Sequence, residues 1–177
     1  VKGVFKMKKL IILIAVAFGV NLISNSNEYV EIPSSSIRMR VIANSNDESD
    51  QNDKKIIKSI VEEKLYEVIN KKGNYESVDE AIEENKKEID DAIKSAMADR
   101  NMTQEFSSSY GMNFFPEKEY RGLSYKAGNY RSYVVTLGSG EGDNWWCVLY
   151  PPLCLVDENV DDYEYHSLIK DAIDKYN

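Results

Sequence analysis

Histidine is nearly absent from this 177-residue sequence, with His166 as its single copy. That excludes a two-histidine zinc motif and any His-rich metal site. Only two cysteines are present, so one disulfide is the most the chain can form. Basic residues are in deficit, 22 against 30 acidic, for a net charge of −8. Nucleic-acid binding draws its affinity from clustered Lys and Arg, so this balance argues against it. There is no internal repeat, and no apolar run reaches the ~20 residues of a spanning helix. What is present is a 42% apolar fraction, too high for a disordered chain, on a length that suits one domain with a real core.

Residues 1–24 differ from the rest. Lys6, Lys8 and Lys9 precede an apolar run of eleven, Leu10 to Val20, and Asn21 ends it. Charge, apolar stretch and small polar residues in that order form an export signal. Ser24 and Ser26 offer a small-x-small cleavage site, and Met7 suits a translation start. Two readings stand for residues 1–26: a cleaved signal peptide or an uncleaved membrane anchor. All four basic residues of residues 1–24 (Lys2, Lys6, Lys8, Lys9) belong to this device, so the exported remainder carries −12. Anionic headgroups repel such a domain, which leaves membrane contact to the N-terminal segment alone.

Residues 27–36, with Pro33 and three serines, read as a linker, and residues 37–177 as a single domain. Ile37, Met39 and Val41 alternate with Arg38 and Arg40, the mark of a half-buried strand. Asn44–Asn52 reads as a polar loop. A helix is expected from about Asp53 to Lys71, on a stripe of Ile57, Ile60, Val61, Leu65, Val68 and Ile69, closed by Lys71, Lys72 and Gly73. A second starts at Ser77, where Ser77 and Glu80 form a capping box. From Phe106 the period changes to two. Phe106, Ser108, Tyr110, Met112 and Phe114 share one face of a strand that ends at Pro116. Tyr130–Leu137 and Trp145–Tyr150 are further strands, expected to be joined as a hairpin by Gly138–Asn144. Pro151-Pro152 stops the last strand, and Tyr165 to Tyr176 carries a C-terminal helical stripe. The expected fold is α+β, with two amphipathic helices packed on a mostly antiparallel sheet and a short C-terminal helix.

No catalytic, cofactor or metal set emerges. The segment Gly138–Gly142 lacks the Lys and the helix that a phosphate loop needs, and acids follow it. Asp157-x-Asn159-x-Asp161 fails as a calcium loop, with Asp162 at the Gly position and Leu168 at the Glu position. Cys147, Cys154 and His166 would need a carboxylate to complete a zinc site. In an exported chain Cys147 and Cys154 favour a disulfide over two buried thiols. Its eight-residue ring is worth about 2.5 kcal/mol in the chain-entropy model. A competing reading makes Cys147 a nucleophile with His166 as base, in a cell-envelope thiol hydrolase; a bridge would consume that nucleophile. Trp145 and Trp146 point to opposite faces of a strand, either both into cores or with one left as an anchor for a partner protein. Arg38 and Arg40 then pair with helix carboxylates or with that partner.

Four blocks of residues carry a resemblance. They are Arg38–Ser45 (RMRVIANS), Phe115–Gly122 (FPEKEYRG), Ala127–Ser132 (AGNYRS) and Gly140–Cys154 (GEGDNWWCVLYPPLC). Together, over about residues 36–156, they resemble the stage II sporulation protein R family of endospore formers. Lys126 departs from the family pattern, which has Pro before Ala-Gly. The resemblance implies a signal and not an enzyme. Such a protein is exported across the forespore membrane into the space between forespore and mother cell. There it activates a membrane-embedded aspartic protease acting on pro-sigma E. It implies no nucleic acid, small-molecule substrate or cofactor. The expected contact with the protease is the loop and strand of Glu141, Asp143, Asn144, Trp145 and Trp146, on their aromatic content and Gly-rich frame.

Overall fold

A computed structural model describes residues 28–30, 33, 35–70, 75–120, 123–150, 153–155 and 162–176. The export segment, Lys71 to Gly73, Pro151-Pro152 and Asp157 to Asp161 lie outside them. In chain order the elements are β1 (Glu28–Val30), β2 (Ile37–Ile42), α1 (Glu48–Asn70), α2 (Val78–Asp99), β3 (Phe106–Phe115), β4 (Lys118–Tyr120), β5 (Leu123–Tyr125), β6 (Gly128–Leu137), β7 (Asn144–Tyr150), a 3-10 turn (Leu153–Leu155) and α3 (Asp162–Tyr176). Among the described residues no helix is long and apolar enough to cross a membrane.

The chain forms two compact units. The smaller takes residues 1–31 and 117–126. Its sheet has the order β1-β5-β4, with β1 parallel and β4 antiparallel to β5. Strand β1 thus falls inside the stretch read as a linker.

The larger unit takes residues 32–116 and 127–177. It is α+β, built on a sheet of order β3-β6-β2-β7. Antiparallel ladders join β3 to β6 and β2 to β7, and a parallel one joins β2 to β6. Alternation along β2 sends Ile37, Met39 and Val41 into the core, where α1 contributes Ile57, Val61, Leu65 and Val68 and α2 contributes Ile82, Ile89, Ile93 and Met97. Helix α3 buries Ile169 and Ile173, one turn apart.

Helix α1 begins at Glu48, not near Asp53. The polar residues of the expected loop are what start it. Ser45 Oγ accepts from Asp47 N (3.1 Å), Gln51 N bonds Asp47 O (3.0 Å), and Glu48 and Asp50 place charge at the positive helix end. Helix α2 starts as expected: Ser77 Oγ accepts from Glu80 N (3.2 Å). The Glu80 carboxylate in turn accepts from Glu76 N (2.6 Å), one residue before the capping-box position. Asn101, at φ 55°, ends α2; Met102 N reaches back to Met97 O (2.9 Å) in a Schellman turn, and Met102 packs on the core.

The hairpin expected between β6 and β7 does not form. Strand β2 lies between them, so Gly138–Asp143 crosses over the end of β2. Both faces of β2 are buried as far as Met39, and this places the strand inside the sheet rather than at its edge. The crossing covers two strand spacings, about 10 Å, well within the reach of the loop.

Candidate functional site

The face of the larger sheet opposite the helices carries an unusual set of side chains. Arg38 and Arg40 project there from β2, Phe115 from β3, Tyr130 from β6 and Trp146 from β7. Arg38 is 1% exposed, and its guanidinium carbon lies 3.3 Å from the Tyr130 ring centre, 5.1 Å from Phe115 and 5.4 Å from Trp146. Arg40 lies 4.1 Å from the Phe115 centre and donates from Nη2 to Phe114 O at 2.7 Å. The Phe115 ring meets Trp146 edge-on at 5.8 Å and Tyr130 at 6.2 Å. Guanidinium groups lose hydration cheaply and stack on ring faces, worth ~0.5–2 kcal/mol per contact. Burial lowers the pKa of Arg40 from its usual value, yet an arginine stays charged at any physiological pH. The result is a cluster of two guanidinium groups and three rings, with Arg38 and Phe115 buried and Arg40, Tyr130 and Trp146 half-buried.

Each of the four blocks singled out in the sequence supplies at least one member: Arg38 and Arg40, then Phe115, then Tyr130, then Trp146. The two arginines do not face the helix carboxylates; strand alternation turns them to the other side of the sheet. Phe115 and Tyr130 were not among the expected site residues. Phe115 was findable: it is the one large side chain in the series Ser107, Ser109, Gly111, Asn113, Phe115.

The expected contact residues are not brought onto one surface. Trp145 is half-buried on the helix side, packed on the core, with Lys58 Nζ 4.5 Å from its ring centre. Trp146 takes the opposite face. Glu141, Asp143 and Asn144 are exposed at the sheet end. The Gly-rich loop is tied down there. Glu141 N and Gly142 N bond to Asn44 O and Ala43 O (both 3.0 Å), and Asp143 N bonds to Asn46 Oδ1 (2.7 Å). Asn44 Oδ1 accepts from Ser139 N (2.9 Å), and Lys54 Nζ donates to Asp143 O (2.9 Å). A Cβ on Gly142 would stand 2.2 Å from Ser45 O, so only glycine allows the two backbones this close.

On the helix side, two polar networks pin α2 to the sheet. The Asp90 carboxylate accepts from Lys86 Nζ (2.6 Å), Ser108 Oγ (2.5 Å) and Tyr133 OH (2.8 Å). Burial raises the Asp90 pKa, but these hydrogen bonds outweigh it and hold the carboxyl below its ordinary range. Tyr110 donates to Asp79, which also pairs with Arg131 (3.0 Å). Burial, then the neighbouring carboxylate, pushes the Tyr110 hydroxyl upward. Ser108 sits 2.5 Å from Lys86 Nζ, a spacing a Ser–Lys catalyst would share. Lys86 is also ion-paired to Asp90 (2.6 Å), so the three side chains form one network.

Cys147 and Cys154 are bonded in the structure, with Cα atoms 5.6 Å apart, which ties the 3-10 turn to β7. Cys147 is therefore not a free thiol here. His166 falls in α3, and its side chain lies outside the described residues. Among the described residues no three His, Cys, Asp or Glu side chains are placed to hold a metal.

The family model of stage II sporulation protein R matches residues 33–160, a range that spans β2 through the 3-10 turn. Stage II sporulation protein R of Bacillus subtilis (strain 168) is 35% identical over 133 residues. That alignment covers 75% of this chain and 59% of the relative, so it spans about three fifths of the relative's length. No solved structure matches.

Proposed function

Because this chain belongs to the stage II sporulation protein R family, we propose that it is an exported signal of endospore formation. It passes from the forespore into the space between the two cells. There it activates a membrane-embedded aspartic protease of the mother-cell membrane, which removes the pro-sequence of sigma E. It acts by binding and is not itself the protease. Residues 1–26 direct export, as a cleaved signal or an anchor, and the Cys147–Cys154 bridge closes in the oxidising space outside the cytoplasm. The observation that carries this reading is the family match over residues 33–160. The arginine–aromatic cluster supports it through its half-buried members Arg40, Tyr130 and Trp146, residue types that anchor protein partners.

The contact comprises Glu141, Asp143 and Asn144 at the sheet end and Trp146 on the ring-lined face, with Trp145 supporting from the core side. The test is complementation. A sporulating host lacking its own family member receives this gene under forespore control, and pro-sigma E is followed by immunoblot. Restored processing is expected. Absent processing, with forespore transcription and export intact, overturns the signalling role. Trp146→Ala is expected to lose most processing and Trp145→Ala less; normal processing in both removes the tryptophans from the contact. His166→Ala is expected to process normally, whereas a thiol hydrolase would lose activity.

A further inference from the structure

We propose that the outer edge of β3 receives an extended, uncharged polypeptide strand from the membrane-embedded protease, lengthening the sheet by one strand. Among the described residues β3 pairs only with β6, so its other edge is open. An open edge offers alternating N–H and C=O groups, and another extended backbone is the chemistry that satisfies them. Edges are ordinarily blunted with Lys, Pro or short length. This one runs ten residues, Phe106–Phe115, without one charged side chain or proline, in a chain that is 29% charged. Met112 and Phe114, two residues apart on one side of the strand, are 62% and 59% exposed. They lie across from Arg131 and Asn129 of β6.

The charge pattern selects the occupant. A strand with no charges pairs best with an uncharged strand whose apolar side chains repeat every second residue, to lie beside Met112 and Phe114. A second copy of the exported part would carry the same net −12, and repulsion between two such chains opposes self-pairing. The edge is also continuous with the ring-lined face: Arg40 holds Phe114 O, and the adjacent Phe115 ring meets Trp146. One partner segment on β3 therefore reaches both surfaces.

The inference rests on the protease being the partner. Full-length chain is co-produced with the tagged protease and pro-sigma E, with a photo-crosslinking phenylalanine analogue at position 112 or 114. Position 87, a lysine 88% exposed on α2, serves as control. Adducts with the protease are expected from 112 and 114 and not from 87. The Met112→Lys, Phe114→Lys double variant is expected to lower processing at least fivefold with its thermal midpoint unchanged. Wild-type processing with a fully active double variant overturns the edge and leaves the signalling role standing. So do protease adducts equal at all three positions, or adducts only between copies of the chain. Loss of processing in the wild type overturns both.

Discussion

The two faces of the larger sheet are built on different chemistry from the same strands. The helix side is aliphatic, closed by α1 and α2, with its few polar groups locked to one another: Asp90 to Lys86, Ser108 and Tyr133, and Asp79 to Tyr110 and Arg131. The other side has two guanidinium groups among three rings, and no helix of the α1–α2 layer lies on it. Burying aliphatic surface is an economical route to stability. Burying an arginine against rings is not, because its desolvation opposes much of the stacking gain. The contrast separates an aliphatic side that supplies stability from an arginine–aromatic side on which the proposed contact draws.

The largest expected effect separates those roles. Leu65→Ala removes a fully buried side chain and costs about 2–5 kcal/mol, read from urea denaturation. Trp146→Ala, on a half-buried ring, is expected to shift the same midpoint less while losing more signalling. Equal destabilisation by the two would erase the distinction between the faces.

Next comes the bridge at the end of β7. Replacing Cys147 and Cys154 together by serine is expected to cost about 2.5 kcal/mol under oxidising conditions. Reductant should bring the wild-type midpoint to the same place. A wild-type midpoint that ignores reductant means that no bridge exists in solution.

The smallest effect tests the network under α2. Asp90→Asn is expected to cost about 1 kcal/mol at neutral pH, since the site is partly open to solvent. Because its folded pKa lies below the unfolded value of ~3.9, the ionised carboxylate stabilises the fold above that value. The contribution disappears as pH falls through the folded pKa. The gap between wild type and variant should therefore close under acid titration. A gap constant from pH 7 to pH 2 would remove Asp90 titration from the stability of this face.

Much of this was legible in the chain. Period-two runs located β2 and β3, Tyr and Val content located β6, and the 3.6 period located α1 and α2, because alternation and helical stripes are imposed by which side of an element meets the core. The Ser77 cap was readable because its bond spans only three residues. The start of α1 was misread because Asn, Ser and Asp serve loops and helix starts alike, and their backbone bonds decide between them. The loop after β6 was misread as a hairpin because glycines signal a turn without saying which strand it reaches.

The candidate site divides the same way. Sequence alone paired Arg38 with Arg40 on one strand face and put Trp145 and Trp146 on opposite faces, since both follow from local alternation. It could not tell which tryptophan faces the helices, or that Phe115 and Tyr130 join Arg38, since those contacts span up to 108 residues from Arg38 to Trp146. Strand order sets them, and strand order is a property of the whole sheet. What the sequence determined was the main strands and helices of the larger unit, the fold class and the family, while β1, β4 and β5 were not read from it. Only the tertiary structure inserted β2 between β6 and β7, and this gathers the four separated blocks into one arginine–aromatic face.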